Sequence, residues 1–324
     1  MIHKVMALVV MIGVLAVLAS ILPLTSGLAL LAVLIWFAGP GVVLAHRLYA
    51  PQAGAWAAAL LAGGAWGYVL SSLVLLGLWA AGVRSFGWLM CSPLVAIPVV
   101  WPARRMAGML TVPAITRREI AAWAFVALAV LAVVGRPFSQ LGRDLPEGRA
   151  YRAYFTADFV WAMVIVSEVS KGDMPPRNPY YLNDPLHYYW LMHLLPAVEH
   201  RAAPNRFSIE QLLIVNALWT ALMFGGFFYF FVRHFVDRPW PAALACAGVL
   251  FCSSFEGIDR LIFMWERIAP FDYLRGLNID AVGNWMYQGM KIDGLHRLLL
   301  YQPQHQIGLP PPRNCPPNAL ALDI

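Results

Sequence analysis

Of the 324 residues, 60% are hydrophobic and only 12% are charged, a balance that a water-soluble globule cannot bury, so the bilayer must solvate much of the chain. The formal net charge of +6 is scattered in short clusters between apolar runs, as membrane topology requires, which argues against nucleic acid as a partner. Cys91, Cys246, Cys252 and Cys315 show no CxxC or zinc-like spacing, so they indicate neither a disulfide framework nor a metal site.

The apolar stretch after Lys4 could serve as a signal peptide, but no polar mature domain follows it, and it reads as a retained first span. A span takes roughly 20 apolar residues. On that measure the chain predicts seven, at residues 5–23, 28–45, 56–81, 86–101, 120–134, 212–232 and 241–255. The fourth, fifth and seventh are short, which suits spans standing nearly upright. In the third, Ala62-Gly63-Gly64-Ala65-Trp66-Gly67 sets small residues at the spacing of close helix packing.

Lysine and arginine set the expected orientation. Counting from a cytoplasmic N-terminus puts Lys4, then His46 and Arg47, then Arg104, Arg105, Arg117 and Arg118, then Arg233 and Arg238 inside, provided that residues 136–209 stay outside as one block. Two semi-apolar stretches in that block, 159–169 and 186–198, are too short or too polar to span. They are expected as helices lying in the outer interface, with a re-entrant pair as the alternative. The predicted architecture is an all-α polytopic transmembrane bundle, multi-pass in the cytoplasmic (inner) membrane, with an extracytoplasmic loop bearing two short interfacial helices.

That loop holds most of the residues able to carry chemistry. Proline and glycine in Gly172-Asp173-Met174-Pro175-Pro176-Arg177-Asn178-Pro179 forbid a continuous helix, and shaped loops of this kind commonly carry function. Asp158 stands at the threshold of the first short helix among aromatic residues, where it serves equally well as a reactive acid or as an ordinary helix cap, and the two roles are compatible. Asp144 is a second acid, but Arg143, Glu147 and Arg149 around it also fit a solvated, charge-mixed loop. Glu256 and Asp259 follow the seventh span on the expected outer side, so acids from two loops could converge there, although Glu256 also fits the water boundary of a span. Tyr180, Tyr181, Tyr188, Tyr189 and Trp190 suit either an interfacial belt or a groove for a lipid chain or sugar ring. His187 and His193 do not share a helical face and are not a zinc pair. Gln302-Pro303-Gln304-His305-Gln306 is a further dense run of polar groups, read either as a connecting loop or as a binding segment.

A span leading outward, an outer loop with an early Asp, two short helices and a return span resemble the first half of the GT-C class of polyprenyl-phosphate-dependent membrane glycosyltransferases. The resemblance covers about residues 120–259 and rests on Ala157-Asp158-Phe159, the Gly172 to Pro179 run and His187-Tyr188-Tyr189-Trp190. It is similar to the loop of uncharacterised bacterial members named for tyrosine runs. It implies transfer of a sugar from a lipid phosphate carrier to an acceptor hydroxyl or amide on the outer face, usually with inversion. Asp158 would be the essential first-loop acid and Glu256 or Asp259 the second-loop acid. Arg152 or Arg177, or a divalent metal ion held by acids, would meet the departing phosphate, and Asn178, His187, Tyr188 and Tyr189 would line the substrate; Gln304 and His305, beyond the region of resemblance, are substrate-binding candidates from their own polar run. The partners implied are membrane lipids and a polyprenyl-phosphate-linked sugar donor.

The organisation expected is an N-terminal four-helix membrane region (1–119), the GT-C-like region (120–259), an outer loop leading toward a missing span (260–308) and a proline-rich tail (309–324). The tail loses hydrophobic periodicity abruptly, as a truncated or frame-disrupted chain would. Two other functions suit the same sequence: a transporter or flippase for a lipid-linked or polar substrate, and a non-catalytic membrane subunit. A transporter should place ionisable groups inside its spans, and the spans as read hold almost none.

Overall fold

The computed structural model describes residues 2–49, 55–100, 116–151, 158–181 and 183–251, with 102, 155, 262, 265–266, 285–287, 290–292 and 299–300. Arg152, Glu256, Asp259, Gln304, His305 and the 309–324 tail lie outside the described residues. Among those described, the regular structure is helical apart from two antiparallel strand pairs, β1 (Gly142–Leu145) with β2 (Gly148–Tyr151) and β3 (Trp285–Tyr287) with β4 (Met290–Ile292).

The helices are α1 (Ile2–Ile21), α2 (Leu24–Tyr49), α3 (Ala55–Ala80), α4 (Phe86–Met90), α5 (Ser92–Val100), α6 (Arg117–Ser139), α7 (Asp158–Lys171), α8 (Leu194–Ala202), α9 (Ile209–Phe235) and α10 (Pro239–Phe251). Four described segments are long and apolar enough to cross a membrane: Leu24–Tyr49, Ala62–Ala80, Arg117–Ser139 and Ile209–Phe235. This is an all-α bundle of a membrane protein. Val5–Ile21 and Pro239–Phe251 are shorter apolar helices.

The fourth expected span does not form one helix. It divides at Cys91, whose φ of −83° and ψ of 0° leave the helical line, and whose N–H turns back to the Trp88 carbonyl at 3.0 Å. Pro93 and Pro98 lack amide donors and crowd the turns before them. The longer piece, α5, has nine residues, which at the α-helical rise reach only about 14 Å.

Small residues set the pairing of α2 with α3. A Cβ on Gly63 would stand 2.4 Å from the Val42 Cα, one on Gly67 2.2 Å from the Ala38 carbonyl oxygen, and one on Gly41 2.0 Å from the Gly67 nitrogen. The two backbones therefore touch where the sequence places its glycine run, and Ser71 Oγ adds a hydrogen bond to the Phe37 carbonyl at 2.6 Å. Gly64 faces the other way, against the Met223 sulfur of α9. Helix α1 packs parallel to α6, with Gly13 beside Leu131 and Val17 beside Gly135. The main hydrophobic core runs from Leu18 and Leu34 to Val130, Ile165, Leu195 and Leu218, and a smaller cluster of Ala45, Ala59 and Ala62 lies between α2 and α3.

These contacts sort the helix ends into two poles. At one, Tyr49 of α2 stacks on Trp66 of α3 and Glu119 of α6 meets Arg233 of α9; the described basic residues His46, Arg47, Arg117, Arg118, Arg233 and Arg238 belong to this pole by their positions on the helices. At the other, Trp79 of α3, Phe138 of α6 and Glu210 of α9 all touch residues of the 142–203 segment. That segment is a cap on one end of the bundle.

Candidate functional site

The cap is built from the β1–β2 hairpin, α7, a proline-rich loop and α8. The hairpin turns through Pro146 and Glu147, with Gly148 at φ +139°. Arg149 secures it to the bundle through a two-pronged contact with Glu210 at the start of α9, Nε to Oε2 at 2.7 Å and Nη2 to Oε1 at 2.5 Å, while Nη1 reaches Asp144 at 2.6 Å. Those carboxylates hold the guanidinium pKa above its usual value, Glu210 contributing most. Tyr151 donates to the same Glu210 at 2.9 Å, and burial, followed by Glu210, pushes its phenol up to about 12. Asp144 thus serves as the exposed third member of a structural ion cluster.

Helix α7 buries one stripe, Phe159, Ala162, Ile165, Val166 and Val169, at the spacing that an amphipathic helix presents. At 14 residues it reaches about 21 Å, too short to cross a bilayer. It stops at Gly172, φ +96°, where Arg201 of α8 donates to the Ser170 and Lys171 carbonyls at 3.1 and 3.0 Å and Trp79 of α3 donates to the Gly172 carbonyl at 3.0 Å. Two elements, α8 and α3, thereby satisfy the helix end that would otherwise be left unpaired.

The second short helix begins later than expected. Residues 186–190 belong to no helix, a single 3-10 turn covers Leu191–His193, and α8 proper runs Leu194–Ala202. Leu194, Leu195, Pro196, Ala197, Val198 and Glu199 are all buried, because α3, α4, α7 and α9 surround this helix.

Between the two helices the loop is pinched at its neck by Leu186 N–H to Pro176 O at 2.7 Å and Asn178 N–H to Asp184 O at 2.8 Å. Asn178 Oδ1 accepts from the amides of Tyr180 and Tyr181 at 3.0 and 3.3 Å, an Asx turn that lifts both rings out of the loop. Arg177 pairs with Asp173, Nε to Oδ2 at 2.8 Å, in an exposed contact.

The aromatic residues form one connected surface. Trp161 of α7 stacks on Tyr180 with ring centroids 5.4 Å apart and planes 11° from parallel, and meets Tyr188 edge-on at 5.8 Å; Tyr188 stacks on Tyr189 at 4.0 Å. Tyr180 remains 73% exposed, so the stack has an open face. Asp158, half-buried in the first turn of α7, lies close enough to Tyr188 to act on it: burial first, then Tyr189, then the Asp158 charge push the Tyr188 phenol up to about 12. Asp158 begins α7, as the sequence anticipates, and has interacting neighbours.

Of the residues singled out in the sequence, the structure brings Asp158, Tyr188 and Tyr189 together and adds Trp161 as the platform that joins them. Arg177 and Asn178 sit at the neck of the same loop, and His187 is exposed on its returning limb. Arg152 and the second-loop acids Glu256 and Asp259 lie outside the described residues, as do Gln304 and His305. Among the described residues no three His, Cys, Asp or Glu side chains come together as a metal site would require.

A second polar constellation, absent from the sequence reading, lies beneath the cap. Glu199 of α8 accepts from Asn216 Nδ2 of α9 at 2.8 Å, and Tyr68 of α3 donates to Asn216 Oδ1 at 3.0 Å. Burial pushes the Glu199 carboxyl up to about 8, against a downward pull from the Asn216 amide. Nearby in the chain, His193 is buried and its pKa falls to about 4 for the same reason. A polar Asn216 inside an otherwise apolar run was the available signal. Comparison with protein-family models, with curated proteins and with solved structures finds no match to this chain.

Proposed function

We propose that this membrane protein is a glycosyltransferase of GT-C type, multi-pass in the cytoplasmic membrane. It moves a sugar from a polyprenyl-phosphate donor to an acceptor hydroxyl or amide on the outer face. The observation that supports this reading is the Asp158 carboxylate set against Tyr188 at the edge of an exposed Trp161–Tyr180 stack. Flat aromatic faces suit the apolar face of a sugar ring, with hydroxyl and carboxylate groups at the rim to fix its orientation.

The chemistry follows from these groups. Asp158 takes the acceptor proton as the acceptor atom attacks the anomeric carbon, and the bond from that carbon to the carrier phosphate breaks. The leaving phosphate keeps the electron pair, and Arg177 or Arg152 offsets its charge. Tyr188, whose phenol stays protonated at neutral pH, donates a hydrogen bond to the substrate. Asp158→Asn in the full-length protein should lower transfer from a polyprenyl-phosphate sugar by about a hundredfold or more, the usual contribution of a positioned base. Unchanged transfer would remove Asp158 from the mechanism.

One observation favours a second reading. Glu199, Asn216 and Tyr68 place a buried ionisable group where the cap meets the helix bundle, and buried ionisable groups against spans are a feature of transporters and flippases. Movement of a labelled lipid-linked sugar across vesicles, unaffected by Asp158→Asn, would favour it.

A further inference from the structure

Glu199 is the buried acid that the sugar-transfer reading leaves unused. Its Oε2 is occupied by Asn216, whereas Oε1 is buried and has no hydrogen-bond partner among the described residues. Among the described residues no cation pairs with it. On the elements packed against α8, Glu168 and Lys171 of α7 pair with each other, Arg201 is turned to the end of α7, Glu210 of α9 is held by Arg149, and α4 (Phe86-Gly87-Trp88-Leu89-Met90) carries no titratable side chain. His193 and His200 are near in sequence, but the groups that interact with the Glu199 carboxyl are Asn216, through its amide, and Tyr68. The carboxyl also sits near the C-terminal end of α8, where the helix dipole disfavours an anion. A buried carboxylate with one bare oxygen and no counter-ion is costly, and the inexpensive remedy is a proton.

We propose that Glu199 is a proton-binding site within the bundle, and that its proton holds α8 in its seat between α3 and α9. Release sends the proton to hydroxide or water and leaves an uncompensated anion in an apolar shell, which the protein relieves by loosening α8. The run Tyr188-Tyr189-Trp190 leads through one 3-10 turn into α8, so loosening reaches the aromatic cap directly. The proposal does not depend on sugar transfer. The direction of linkage is fixed: the carboxyl is raised from 4.5 to about 8. Its contribution to stability is therefore complete below the unfolded value and declines as pH rises through that window.

The test uses the full-length protein in lipid nanodiscs, titrated by infrared spectroscopy from about pH 5 to about pH 10. A protonated-carboxyl band should persist at neutral pH, vanish with a midpoint near about 8, and be missing from Glu199→Gln. In Asn216→Leu the midpoint should rise, because the amide that favours the anion is gone. Hydrogen exchange at the α8 amides above the midpoint should be about tenfold faster in wild type than in Glu199→Gln at the same pH. Identical neutral-pH spectra for wild type and Glu199→Gln would overturn the proton site, and equal α8 exchange would overturn its coupling to the helix. Should Glu199→Gln fail to fold, a band whose midpoint is the same in wild type and Asn216→Leu overturns the assignment.

Discussion

Arg233, near the end of α9, reaches Glu119 in the first turn of α6, Nε to Oε1 at 2.6 Å, and Tyr229 donates to the same oxygen at 2.8 Å. The pair lies at the basic pole with side-chain exposures of 9% and 3%, and it ties two long helices together where they would otherwise splay. Thr116 caps α6 by accepting from the Glu119 amide at 3.2 Å, so the Thr-x-x-Glu pattern of a capping box is present. The Glu119 carboxylate serves the interhelical pair.

Removing one partner strands the other charge. Arg233→Ala should cost about 3–5 kcal/mol, read as a fall in the thermal midpoint in detergent. Glu119→Leu with Arg233→Met should recover most of that loss, since two apolar groups need no counter-ion. A double variant as unstable as Arg233→Ala would show that the contribution is packing and that the charges add nothing.

His193 gives an acid-side pH dependence opposite in sign to that of Glu199. Its pKa falls from 6.5 to about 4 on burial, so between those values the unfolded chain binds more protons than the folded one. Stability then rises with pH across the window, is level above it, and is lost as pH falls through it. His193→Leu removes this titration and should flatten the acid limb by up to roughly 3 kcal/mol. Glu199 titrates over an overlapping range, so the quantity to compare is the difference in midpoint between wild type and His193→Leu at each pH. A difference that stays constant from about pH 4 to about pH 7 would refute the assignment.

Much of the bundle was legible because hydrophobic length and the placement of arginine are properties of single segments. The glycine run was legible for the same reason: close approach leaves room for nothing larger. The break at Cys91 was masked because the apolar total of residues 86–101 outweighed the two prolines that carried the information. The late start of α8 was hidden in a similar way, since Tyr188 and Trp190 count as apolar in any helix pattern while their neighbours hold that stretch in the loop. The hairpin of residues 142–151 reads as solvated charge until Glu210, 61 positions from Arg149, is known to face it. Glu199 and Asn216 are 17 residues apart on different helices. Partnerships of this kind exist only once the helices are packed.

The two poles make an accessibility prediction. Asn183 is exposed on the cap and Arg118 is exposed at the basic pole. In a background lacking the native cysteines, Asn183→Cys should react with a membrane-impermeant maleimide on intact cells, and Arg118→Cys only after permeabilisation. Gly172 is a poor site for such a probe: it holds φ +96° and a Cβ there would stand 2.5 Å from the Arg201 guanidinium. Labelling of both positions from outside would refute the alternating topology, and labelling of Arg118→Cys alone would invert it.

The α2–α3 interface allows a matched comparison within a single helix. Gly67 and Gly77 both lie in α3, but a Cβ at Gly67 would meet the Ala38 backbone at 2.2 Å, whereas at Gly77 nothing lies within 4 Å. In Gly67→Ala the helices must separate, because the obstacle is main chain and cannot rotate aside. The expected cost is about 1–3 kcal/mol, as for other overpacked interiors. Gly77→Ala gains helix propensity with no clash and should be neutral or stabilising by up to about 1 kcal/mol. Tyr68 follows Gly67 directly, so parting α3 from α2 also moves the hydroxyl that holds Asn216. Gly67→Ala should therefore raise hydrogen exchange in α8 as well as lower the thermal midpoint, while Gly77→Ala leaves α8 protected. If the two alanine variants melt together, the close approach of α2 and α3 is not what sets their pairing.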